Sequence, residues 1–153
     1  MGKKKIIIAF IIFLLAVVAD VLKGFTVRNH LMDLTVQELF IKFTLIPMIF
    51  SFIVPFLTSL VCAEKRTTLL SYLFALFLYL NNYIILDSYF TPEVIAQIMK
   101  NSNMVQEGVS ISSSTDTSSM ITTVITIFAL CTIGIFFGKK CNSFIQIFKE
   151  RVK

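Results

Sequence analysis

The chain reads as an all-α polytopic membrane protein: four transmembrane helices, both termini cytoplasmic (N-in/C-in), and a short amphipathic helix on the outer side. Three observations carry that reading. Hydrophobic residues make up 56% of the 153 residues and charged residues only 15%, a balance too apolar for a soluble domain. Four apolar segments, Ile6–Phe25, Leu39–Cys62, Leu69–Leu86 and Met120–Gly138, approach the about 20 residues a helix needs to cross about 30 Å of hydrocarbon. The basic residues are also unequally placed. Lys3, Lys4, Lys5, Lys65, Arg66, Lys139, Lys140, Lys149, Arg151 and Lys153 flank one set of segment ends, whereas only Lys23, Arg28, Lys42 and Lys100 flank the other. Positive residues are retained in the cytoplasm during insertion, which puts both termini and the turn 63–68 on that side.

Together the spans predict a single membrane domain, with an outer loop 87–119 and a cytoplasmic tail 139–153. The first segment also fits a signal peptide, with Lys3–Lys5 ahead of an apolar run and Val17-Val18-Ala19 before Asp20; retention as a span is the expectation. Asp20 and Lys23 are three residues apart and share a helix face. Asp20 falls about 21 Å from the start of the span, in the outer third of a bilayer, where an acid either pairs at the interface or faces the bundle.

His30, the only histidine, lies in the first outer loop without neighbouring ligands, so no metal is expected. Thr35-Val36-Gln37-Glu38 is a capping-box pattern that starts the second helix. Pro47 and Pro55 within that helix each remove an amide and predict a kink near each position. Hydroxyls of Ser51, Thr58 or Ser59 are candidates to satisfy the freed carbonyls.

The third segment carries Asn81 and Asn82 at a depth similar to Asp20. Buried amides in a span act as interhelix hydrogen-bonding groups. Asp20, Lys23, Asn81 and Asn82 therefore form the candidate polar outer vestibule. Thr91-Pro92-Glu93 reads as an N-cap, a first-turn proline and a first-turn acid. Val94, Ile95, Ile98 and Met99 follow on one face, a pattern that suits a helix lying on the outer leaflet. From Lys100 to Ser119 the chain is rich in Ser and Thr and predicts a flexible loop.

In the fourth segment Gly134 and Gly138 form a GxxxG that permits close helix contact, within the chain or between copies. Beyond it, Lys139, Lys140, Phe144, Phe148, Lys149 and Arg151 mark a surface for a cytoplasmic partner or anionic lipid. Cys62, Cys131 and Cys141 all fall toward the cytoplasmic side and are expected to be free thiols.

No catalytic motif is present, and no enzyme activity or cofactor is expected. Asp20 and Asp87 are the only acids placed like those of a membrane signal peptidase, without its surrounding motifs. The expected partners are membrane lipids, further copies of the chain and a cytoplasmic protein. Nucleic acid is not expected, because the net charge of +5 is explained by the span ends. By size and layout the chain resembles the four-helix membrane sensor subunit of the Kiwa anti-phage system. Holins and bacteriocin-immunity proteins share that layout. The resulting expectation is a non-enzymatic inner-membrane sensor or scaffold, with a small oligomeric channel, holin-like pore or transporter subunit as the alternative.

Overall fold

The computed structural model describes residues 2–102 and 117–151, and their regular structure is helical, without strands. Four helices are long and apolar enough to cross a membrane: Lys3–Asn29, Val36–Val61, Lys65–Tyr89 and Met120–Phe148. Residues 103–116 of the Ser/Thr-rich loop, the Lys149 side chain, Val152 and Lys153 lie outside the described residues.

Helix α1 (Gly2–Asn29) runs past the expected end at Phe25. A turn of 3-10 helix, Leu31–Asp33, leads to Thr35, which caps α2 (Val36–Phe40). The capping box is complete: Thr35 Oγ1 accepts from the Glu38 amide at 3.2 Å, and Glu38 Oε2 accepts from the Thr35 amide at 3.0 Å.

A π-helical turn, Ile41–Leu45, joins α2 to α3 (Ile46–Val61) without a break, and the Ile46 amide reaches back to the Ile41 carbonyl. Pro47 supplies the reason. Its ring would press on the Phe43 carbonyl four residues back, and a wider turn relieves that crowding. Pro55 sits within continuous α3. The hydroxyls serve other carbonyls than those the prolines free. Ser51 donates to Met48 at 2.8 Å, and Thr58 donates to Val54 at 2.9 Å, neither of them a carbonyl four residues before a proline.

Helices α4 (Lys65–Tyr89), α5 (Pro92–Asn101) and α6 (Thr117–Arg151) complete the fold. Paired α3 and α4 form the middle of the bundle, and α1 and α6 each pack against both. Ala16, Val54, Phe74 and Leu78 fill the α1 side, while Ala75, Ile127, Cys131 and Ile135 fill the α6 side. Because successive helices reverse direction, Lys65 and Arg66 share one bundle end with the start of α1 and the end of α6. The opposite end is closed by α5. Its apolar face does not lie free: Val94 and Ile98 are buried with Val27, Leu34, Phe43 and Ile85. The Asn101 side chain holds the carbonyls of Met32 and Leu34 at 2.8 and 3.1 Å, and Ser102 Oγ accepts from the Val36 amide at 2.8 Å. All three cysteines are free thiols.

Candidate functional site

The four residues of the expected vestibule meet, but as a sealed cluster between α1 and α4. Asp20 is wholly buried and Lys23 is 10% exposed. Lys23 Nζ lies 2.6 Å from Asp20 Oδ1 and donates to Asn82 Oδ1 at 2.7 Å. Asn81 Nδ2 donates to the other Asp20 oxygen at 2.6 Å, and Asn82 Nδ2 donates to the Leu78 carbonyl at 2.6 Å. The Lys23 ammonium also lies 5.6 Å from the centre of the Phe43 ring. Each charge is thus taken up by a partner, which is what a buried ion pair requires. The cluster fastens α1, otherwise among the least buried of the long helices, to the middle of the bundle.

Beside this cluster lies a cavity of about 470 Å³, bounded by the π-turn of the second span, α4, α5 and the start of α6. Of the four vestibule residues only Asn82 borders it. Its walls are largely apolar, from Leu39, Phe43, Met48, Leu86, Ile98 and Ile127; α4 contributes the polar groups Tyr79, Asn82, Tyr83 and Asp87, and threonines of the π-turn and α6, among them Thr44 and Thr126, add hydroxyls. The sequence reading missed this site. The available signal was the spacing Tyr79, Tyr83, Asp87, which puts the three on one helix face, but no pattern announced the facing wall. Asp87 lines the cavity whereas Asp20 is held by Lys23 and Asn81, so the two acids have separate surroundings.

Gly134 and Gly138 lie against α3 of the same chain. A Cβ at Gly134 would stand 2.5 Å from the Phe52 carbonyl oxygen, and one at Gly138 would strike the Phe56 carbonyl oxygen. Asn142 continues the ridge, with Nδ2 donating to the Ser59 carbonyl at 3.4 Å. Residue numbers rise together on both helices, so α3 and α6 run parallel in close contact.

The tail continues α6 as helix. From Lys140 to Arg151 it extends about 17 Å further along the axis. Phe144 and Phe148 are exposed, Arg151 is exposed, and Lys140 Nζ lies 5.8 Å from the Phe136 ring centre. Among the described residues no cluster of three or more His, Cys, Asp or Glu could hold a metal. No family model, curated protein or solved structure matches the chain.

Proposed function

We propose that the protein is a non-enzymatic subunit of a bacterial inner membrane, with both termini cytoplasmic, that couples an event at its outer face to a cytoplasmic partner. The observation that carries this reading is α6. One uninterrupted helix of 35 residues, about 52 Å long, borders the cavity through Met120, Thr126 and Ile127 and ends in an exposed aromatic and basic surface. The Gly134–Gly138 ridge seats it on α3, whose own upstream π-turn lines the same cavity. Packed helices shift as units rather than bending continuously, so a displacement at the outer end would be carried to Phe144 and Phe148. Asp20 is occupied by Lys23 and Asn81, which counts against it as an ion-selecting group and hence against the channel reading. Further copies of the chain are proposed to pack through the apolar outer surfaces of the bundle.

Photo-cross-linking in cells tests the reading. A photoreactive amino acid at Phe144 or Phe148 should capture a defined cytoplasmic protein, and one at lipid-facing Leu15 or Ile125 should not. Adducts confined to lipid or to the chain itself at all four positions would reject the recruiting role.

A further inference from the structure

The geometry points to the cavity as a binding site for an amphipathic organic monocation, a molecule with one ammonium group and an alkyl or aryl body. At about 470 Å³ it has the size of small-molecule sites, which are mostly apolar with a few convergent polar groups. Beside neutral threonine hydroxyls, the groups on α4 suit a cation. Among the described residues Asp87 is the only charged one on the lining, and it has neither a hydrogen bond nor an ion pair there. One and two helical turns before it stand Tyr83 and Tyr79, stacked with centroids 6.3 Å apart. A carboxylate at the end of an aromatic ladder attracts an ammonium both by charge and through the ring faces.

The surroundings discriminate against an anion. Lys23 is neutralised by Asp20 and tied to Asn82 Oδ1, so it offers no free charge through the wall. Arg28 lies over Tyr89, 5.5 Å from the ring centre, and neither of those residues lines the cavity. The deeper walls, Phe43, Pro47, Met48 and Ile127, have no charge and match a hydrocarbon body. Methionine and the π-turn add adaptability, since unbranched thioether side chains fit varied shapes and π-turns recur at functional sites. An ammonium at Asp87 with its body pointing toward Ile127 would occupy the space between the second span, α4 and α6. This site stands independently of whether the α6 tail recruits a partner.

The test uses the full chain in nanodiscs of zwitterionic lipid and a diazirine-bearing decylammonium as the probe. Photolabelling should map to α4 around Tyr79–Asp87 and to the facing part of α6. An excess of unlabelled decylammonium should compete it away, whereas decanol and decanoate should be up to about fivefold weaker, as expected for loss of one partly solvated charge contact. Asp87→Asn, a change at an exposed residue, should weaken competition up to about fivefold. Tyr83→Leu should weaken it less, and both variants should keep wild-type helix content. Equal competition by decanol or decanoate would show an ordinary acyl-chain slot and overturn the proposal. Competition unaffected by Asp87→Asn, or labelling spread over the lipid-facing surface, would overturn it too.

Discussion

Replacing Gly134 or Gly138 by alanine should loosen α6 from α3. A methyl at 134 would lie 2.5 Å from the Phe52 carbonyl oxygen and 3.3 Å from the Phe56 amide nitrogen. Close carbon–oxygen contacts in proteins lie at about 3.3–3.6 Å, so α6 must withdraw by about 1 Å. The obstacle is backbone and cannot rotate away. At 138 the methyl meets the Phe56 carbonyl, Ser59 Cβ at 2.8 Å and the Leu60 amide nitrogen at 3.1 Å. Overpacking of this kind costs about 1–3 kcal/mol, and alanine's helix preference over glycine returns about 1 kcal/mol. Each variant should therefore be destabilised by up to about 2 kcal/mol. The double variant should lose less than the sum, because one displacement makes room for both methyls. Gly24→Ala is the control: its methyl meets only the tip of Ile85, at 2.9 Å, a side chain that can turn aside, so it should melt with or slightly above wild type.

The assay is thermal unfolding in nanodiscs followed by a thiol-reactive dye, with Cys62 and Cys141 replaced by serine. Cys131 is fully buried between α4 and α6, and its labelling reports α6 lifting away. At about 2–4 °C per kcal/mol for a chain of this size, the Gly134→Ala and Gly138→Ala melts should fall by several degrees. Should both melt at or above wild type, the close parallel contact of α3 and α6 is wrong.

Three further outcomes follow from the same packing. Lys23→Met leaves the Asp20 carboxylate buried without its cation and should destabilise by about 3–5 kcal/mol, with Asp20→Leu added in the same chain recovering much of the loss; a Lys23→Met melt equal to wild type would contradict the sealed cluster. Thr35→Ala removes the hydroxyl that accepts from the Glu38 amide, while the Glu38 carboxylate keeps its bond to the backbone amide at 35; it should cost about 1 kcal/mol, seen as faster hydrogen exchange at the first amides of α2 while exchange in α4 stays unchanged. Maleimide should modify half-buried Cys141 before Cys62 and Cys131, which are buried; equal rates in the folded protein would refute that order of burial.

The four long helices were legible because each rests on composition and length alone. The capping box at Thr35 and Glu38 and the start of α5 at Thr91 were legible for a related reason, since caps are local chemistry within a few residues. The polar cluster was half legible. Polar side chains at matching depths on two spans announce that they will meet, but whether they enclose water or one another depends on how α1 rotates about its axis. The π-turn was hidden because a proline specifies crowding at the carbonyl four residues earlier, and kinking or widening both relieve it. The GxxxG specified a close approach without naming its partner. That partner is α3, where Ser59, Pro55 and Ser51 are buried. The cavity had no sequence signature, because four elements contribute to it and the space is what their side chains leave unfilled.

Coupling through α6 would carry a displacement from one end of the bundle to the other, and a single comparison tests it. Photo-cross-linking from position 148 to a soluble partner protein is compared between the intact chain and a variant whose α5 end is untied by Asn101→Ala and Ser102→Ala, changes that remove the side-chain hydrogen bonds from the end of α5 to Met32, Leu34 and Val36. Coupling through α6 requires a severalfold change in cross-link yield while Cys131 remains protected and the protein stays at its normal level. An unchanged yield, with the α5 end demonstrably loosened by hydrogen exchange, would contradict it.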